Sequence, residues 1–227
     1  LPVPDIDRTE YFLVMGANPA VSNGSLMTAP GAAQRIKEIR KRGGSVVVID
    51  PRRTETAALA DRHYFIRPGT DVYLLLGILH ALFERELLRP GRLQQMITST
   101  KAIERLVQDY SPRRVATVCG VEAAEIERIA LEFASAKSAV CYGRMGLSTQ
   151  EFGSLCQWLI YVLNILTGNF DREGGAMFTL PAVDIVGNAH RLGSRGHFGK
   201  WKSRVRGLPE FGGELPVAAL AEEILTE

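Results

Sequence analysis

The feature that most limits what this chain can fold into is the run Ser45-Val46-Val47-Val48-Ile49. β-Branched residues without polar alternation make a strand that hides both of its faces, as strands do in parallel sheets covered by helices on either side. The flanking sequence repeats the theme. Tyr11-Phe12-Leu13-Val14-Met15 is a second apolar run of strand type, closed by Gly16-Ala17-Asn18-Pro19. Between the two runs Ala32, Ala33, Ile36 and Ile39 recur at helical spacing. Lys37, Arg40, Lys41 and Arg42 crowd that helix's last turn, where cations favour the dipole, and Gly43-Gly44 ends it. After Asp50-Pro51, residues 54–60 read as a short helix, 63–66 as a third strand and 71–88 as a long apolar helix. Strand and helix in alternation require right-handed crossovers. The expected fold is therefore α/β, a three-layer αβα arrangement around a mainly parallel sheet.

The middle of the chain is helical. Residues 101–109 and 122–136 have amphipathic spacing, and Ser111-Pro112 opens a short helix between them with proline at its first position. Ser138 to Tyr142 reads as a fourth strand ending at Gly143, with Tyr142 a core residue. The helix predicted over 150–167 is apolar nearly all round, a pattern of burial that also takes in Phe152 and Trp158. From Gly168 onward periodicity fades. Between Asp184 and Glu210 there is no acidic residue but six cations, namely Arg191, Arg195, Lys200, Lys202, Arg204 and Arg206. These divide the chain into an α/β domain over 1–170 and an irregular basic extension over 171–227. The six cations can neutralise a pyrophosphate, line the approach of an anionic substrate, or form a solvated interdomain surface. Trp201 among them reads as an interface residue.

Composition removes several function classes. With 46% hydrophobic and 23% charged residues the chain is ordinary globular material, not a disordered tail. A net charge of +2 and a pI near 8.5 do not suit a general nucleic-acid binder. No window approaches the roughly 18 apolar residues of a membrane span, and Leu1-Pro2-Val3-Pro4-Asp5 has neither the basic start nor the apolar core of a secretion signal. Cys119, Cys141 and Cys156 are scattered and odd in number, so they encode neither an iron–sulphur cluster nor a structural zinc site. Buried thiols of a reducing, cytoplasmic setting are the expectation. His63 and His80 read as packing residues, and His190 and His197 lack carboxylates close in sequence.

Ligands of open parallel sheets bind at the carboxyl ends of the strands, and three such ends carry suggestive residues. The first is Gly16-Ala17-Asn18-Pro19 with Ser22, where small residues let a ligand approach backbone amides; it lacks the G-x-G-x-x-G dinucleotide fingerprint. The alternative is a plain turn capped by Asn and Ser. The second is Asp50-Pro51-Arg52-Arg53-Thr54. Its carboxylate can accept from ribose hydroxyls or a purine's donor edge and its arginines can pair with phosphate, or Asp50 simply caps a helix beside solvated arginines. The third is Gly69-Thr70-Asp71, where Asp71 can accept both donors of a guanine edge or, with Thr70, cap the following helix.

These segments, in this order, resemble the molybdopterin oxidoreductase superfamily of the dimethyl sulfoxide reductase type, which includes formate dehydrogenases and nitrate reductases. The match continues through Thr56, Ala57, Ala60 and Asp61, Arg67-Pro68-Gly69-Thr70-Asp71, Gly143-Arg144-Met145-Gly146, and Leu166-Thr167-Gly168-Asn169 with Gly174-Gly175, roughly residues 10–180 in all. The resemblance implies a cofactor of two molybdopterin guanine dinucleotides carrying molybdenum or tungsten. The segments 15–22 and 50–54 would contact the dinucleotide arm, with Gly16, Ala17, Asn18, Ser22, Asp50, Pro51, Arg52 and Thr54 as candidates. Gly69, Thr70 and Asp71 would hold its guanosine end, Met145 would approach the pterin, and the family's glutamine role falls to Thr149 or Gln150. Pro181-Ala182-Val183-Asp184 departs from the polar stretch usual after the double glycine.

The resemblance further implies that the metal-ligating residue and a 4Fe-4S motif belong to sequence before residue 1, and that a domain closing over the second dinucleotide follows residue 227. On this reading the chain is an internal piece of an oxidoreductase that performs two-electron chemistry on a small substrate. It contains no catalytic or metal-binding residue of its own, and its partners are the remaining domains of the same polypeptide and an unspecified electron-transfer partner. The alternative from another class is a non-catalytic α/β nucleotide-binding or interaction domain.

Overall fold

The computed structural model describes residues 2–193 and 197–227. Arg195 of the basic extension lies outside the described residues. The chain divides into two compact units, Leu1–Thr179 and Leu180–Glu227.

In the first unit the elements run β1 (Val3–Pro4), β2 (Tyr11–Met15), α1 (Pro19–Ser22), α2 (Ala32–Lys41), β3 (Ser45–Ile49), α3 (Glu55–Leu59), β4 (Arg62–Tyr64) and α4 (Asp71–Glu84). They continue with α5 (Thr100–Val107), α6 (Pro112–Cys119), α7 (Ala123–Ser135), β5 (Ala139–Gly143), α8 (Met145–Ser148), α9 (Gly153–Leu166) and β6 (Ala176–Met177). Strands β4, β3, β2 and β5 lie side by side in that order, every pair parallel. Alternation within each strand divides the core. Tyr11, Leu13, Met15, Val47, Ile49 and Cys141 face a cluster built from α4, α6, α7 and α9. Phe12, Val14, Val46, Val48 and Val140 face a smaller one that includes Ile36 and Ile39 of α2 and Ala57 of α3. Helices cover both faces, so the architecture is the expected three-layer one.

Chain order places β3 and β4 to one side of β2 and β5 to the other. The gap between the ends of β2 and β5 is thus the point where winding reverses, which in doubly wound sheets opens a crevice. The outer edge of β5 is covered by side-chain amides. Asn164 accepts from the Cys141 N–H and donates to its carbonyl, both at 3.0 Å, and Asn169 accepts from the Ala139 N–H at 3.0 Å.

Several expectations need correcting. The long helix from Asp71 ends at Glu84, because Glu86 adopts a left-handed backbone (φ 53°). Phe152 and Trp158 are not core residues; each is 42% exposed, while Cys156, Leu159 and Leu163 carry the buried face of α9. Beyond residue 170, β6 pairs antiparallel with β1, and the Asp5 carboxylate accepts from the Gly174 N–H at 2.8 Å. Among the described residues no helix is long and apolar enough to cross a membrane.

The second unit holds α10 (Ile185–Arg191), the hairpin of β7 (Phe198–Lys202) and β8 (Pro209–Phe211), and α11 (Leu220–Leu225), joined by irregular segments. His197 finds the carboxylate its sequence neighbours lack: its Nδ1 lies 2.6 Å from Glu210 Oε1. Arg204 and Arg206 pair with Glu223 and Glu222.

Candidate functional site

The reversal point carries an open cleft of about 350 Å³. Its walls come from three strand ends. The β2 end supplies Gly16, Ala17, Asn18 and Ser22; the β3 end supplies Asp50, Arg52 and Thr54; the β5 end supplies Tyr142, Arg144 and Met145. Seven residues singled out at the first two strand ends therefore share one concavity with Met145.

Local chemistry fixes each wall. Gly16 turns the chain out of β2 with φ 52°, and a Cβ there would lie 2.9 Å from the backbone of Gly146 and Leu147. Only glycine allows the β2 and β5 loops this close, and the Gly146 N–H donates to Gly16 O at 2.9 Å. Asn18 is a strut: its Nδ2 donates to Glu55 at 2.8 Å and its Oδ1 accepts from the Thr56 hydroxyl at 2.7 Å. The Asn18 amide thus binds the first loop to α3 instead of projecting free into the cleft.

Asp50 accepts from the Arg52 N–H at 2.8 Å, a tight turn that holds the carboxylate at the strand end. The helix cap is Thr54, not Asp50. Thr54 Oγ1 accepts from the Ala57 N–H at 3.1 Å, and the same hydroxyl can still donate. His63 Nε2 lies 2.9 Å from the Asp50 carbonyl, and His80 Nδ1 2.9 Å from the Val107 carbonyl, so both histidines have structural partners.

The third turn is placed differently. Gly69, Thr70 and Asp71 do not line the cleft, nor do Pro51, Thr149 and Gln150. Asp71 is buried, 2% exposed, and accepts from Gln150 Nε2 at 2.6 Å. Burial pushes its carboxyl above the usual range, the Gln150 bond opposes this, and the nearby charge of Asp50 adds to the rise. Gln150 thus links the β5 loop to the third turn, whereas the Thr149 hydroxyl donates back to Met145 O at 2.7 Å. Thr70 occupies the N-cap position of α4, yet its hydroxyl donates to Arg67 O at 2.6 Å and does not cap.

Tyr142, like Phe152 and Trp158, is expected from the sequence to be core and is not. It is half-buried, with its hydroxyl 3.5 Å from an Arg144 nitrogen on the cleft wall. Its position at the carboxyl end of a strand was the available signal. The cysteines supply no thiolate here: all three are buried, and burial pushes the Cys156 thiol up to about 11.

An α/β sheet with a crevice at its reversal point, walled by small residues, a carboxylate and two arginines, is the framework on which doubly wound sheets place their ligands. The family profile of molybdopterin oxidoreductases matches residues 2–210, and the chain belongs to that family. It is 30% identical to formate dehydrogenase H of Escherichia coli over 192 residues, covering 85% of this chain and 26% of that protein. It is 27% identical to the periplasmic nitrate reductase of Desulfovibrio desulfuricans, covering 78% of this chain and 24% of the relative. Acetylene hydratase from Pelobacter acetylenicus superposes with a TM-score of 0.68 at 25% identity, covering 78% of this chain and 23% of the other. The chain spans about a quarter of the length of these relatives.

Proposed function

We propose that this chain is a cofactor-holding domain of a molybdenum or tungsten oxidoreductase that carries two molybdopterin guanine dinucleotides. The observation that supports this most directly is the shared cleft. A pyrophosphate with its riboses needs close backbone approach, cations and an acceptor. Gly16 and Ala17 provide the first, Arg52 and Arg144 the second, and Asp50 the third. Ser22 and the Thr54 hydroxyl add donors, and Met145 gives the wall an apolar surface for the pterin region. Asp71, joined to the cleft loops through Gln150, would take the guanine end. When bound, the metal–pterin group supplies the two-electron chemistry. The chain's own residues hold and orient the dinucleotide.

The reading also makes residues 1–170 the holding domain and 171–227 the return to a neighbouring domain of the same polypeptide. It leaves the isolated chain without catalysis and assigns the 4Fe-4S cluster and electron-transfer partner to the longer protein. Formate dehydrogenase, nitrate reductase and acetylene hydratase name different reactions among the relatives. Fold alone therefore does not select the substrate.

The test is calorimetric titration of the chain with GDP and ADP. GDP is expected to bind more tightly, Asp71→Ala to remove the preference, and Arg144→Ala to weaken both nucleotides by about tenfold, the worth of one charge-assisted phosphate contact. Preference for ADP, or equal binding of the two, would overturn the guanine assignment and favour a general nucleotide-binding domain.

A further inference from the structure

We infer that the opposite rim of the same sheet carries a second anion site, a pocket for a small molecule bearing two or more phosphate groups. The pocket has a volume of about 480 Å³ and is lined by Arg89, Arg92, Lys137 and Arg172, with Ser135 and Gly168 between them. Lys137 lies just before β5 begins, and Gly168 just after α9 has run back along the sheet. The five residues of β5, roughly 16 Å of strand, separate this pocket from the cleft at the other rim.

Charge is the first argument. Four cations line the pocket, and three of them remain once the acidic residues of the adjoining turn are counted. Asp171 pairs with Arg92 at 2.8 Å, and Glu173 is held by Arg8 at 2.9 Å. Among the described residues, Arg89, Lys137 and Arg172 enter no ion pair.

The ordinary role for cations here would be to satisfy carbonyls at helix C-termini, since α7 and α9 both end in this region. The carbonyls at the end of α9 already have partners, and so does Glu132 O in the last turn of α7. Leu163 O accepts from the Thr167 hydroxyl at 2.7 Å. Asn164 O accepts from the Asn169 N–H at 2.7 Å, Leu166 O from the Arg89 N–H at 2.8 Å, and Glu132 O from the Ala136 N–H at 3.0 Å. At Leu166 it is the backbone of Arg89, not its guanidinium, that does this. Arg89, Lys137 and Arg172 line the concavity with no ion-pair partner among the described residues, while Arg92 bonds Asp171. Gly168, at φ 71°, presses so close to Arg89 that a Cβ would sit 2.4 Å from the Arg89 carbonyl oxygen.

Clustered cations over a concavity focus a positive potential inside it. Guanidinium forks match phosphate oxygens in pairs. Concavity favours a small polyanion over the flat acidic face of a protein.

The test is titration of the chain with inorganic pyrophosphate. Two classes of site are expected. Lys137→Glu/Arg172→Glu should weaken one of them about a hundredfold, the loss of two charge-assisted contacts. Arg52→Ala/Arg144→Ala should weaken the other, so the site at this rim is counted whether or not the cleft binds as proposed. Should the charge-reversed variant fail to fold, Lys137→Gln/Arg172→Gln gives the same reading. Pyrophosphate binding unchanged in the folded Lys137 and Arg172 variant would overturn the inference. So would equal affinity for sulfate, which would leave unselective charge attraction, or binding of polyglutamate but not pyrophosphate, which would favour an acidic protein partner.

Discussion

In the first unit Leu13, Val14, Val47 and Val48 are wholly buried between helices, whereas in the second the strand residues Phe198, Trp201 and Phe211 stand open to solvent. Two of the three buried residues of the second unit, among those described, are the polar Ser203 and Glu210. The two units therefore depend on different forces. Apolar area removed from water, at roughly 25 cal/mol per Å², holds the sheet and its helices. The hairpin is tied by directed contacts around Glu210, which accepts from the N–H groups of Lys200 and Gly213 and from His197. Apolar contacts carry no charge to titrate or to screen, whereas ionic and charge-assisted ties do.

The strongest way to break this comparison is Phe133→Ala. Phe133 is fully buried and meets Tyr11 edge-on at 5.9 Å between ring centroids. Its truncation is expected to cost about 3–5 kcal/mol of first-unit stability in urea unfolding. A loss under about 1 kcal/mol would mean that apolar packing is not what holds the sheet. Next comes Thr54→Ala, which removes the side-chain cap of α3 beside the cleft and should cost about 1 kcal/mol in the same measurement.

The smallest effects are the pH responses, which sharpen the contrast by their opposite signs. Burial pushes the Glu210 carboxyl up, but donation from Gly213, Lys200 and His197 outweighs it and holds the group below its ordinary range. The unfolded segment then takes up protons first, at about pH 4.3. The stability Glu210 contributes is present above that pH and is lost as pH falls through the lower folded value. Trp201, whose ring centroid lies 4.8 Å from that of His197, should report this by its indole NMR signal. Glu210→Gln should abolish the acid response. Asp71 behaves in reverse. Its folded carboxyl titrates above the unfolded one, so its burial penalty is in force at neutral pH and is relieved as pH falls through the raised value. Asp71→Asn should therefore raise the melting temperature at pH 7, with the gap from the parent closing in acid. A gap that widens in acid would refute the assignment.

Legibility in the sequence followed the range of the interactions. Tyr11–Met15 and Ser45–Ile49 occupy the predicted positions because apolar runs between glycine and proline need no tertiary context. The pair β1–β6 has two residues a side and no periodicity to read. Tyr142 looked like core because strand alternation cannot reveal that a strand's end opens on a cleft. At the site, the first two loops were legible as small and charged residues at strand ends. The bond from Gln150 to Asp71 joins positions 79 apart in sequence, a juxtaposition that only the folded crossovers create.

The asparagine amides along β5 have a consequence for how this molecule behaves in a crowd. An outermost strand with unanswered peptide groups is a template on which another chain can grow a cross-strand ladder. Asn164 occupies both hydrogen-bonding groups of Cys141 and Asn169 takes the amide of Ala139, so β5 offers an incoming strand little to pair with. Two side chains thus close the β5 edge of the sheet and leave that side without a free ladder for fibre-like pairing.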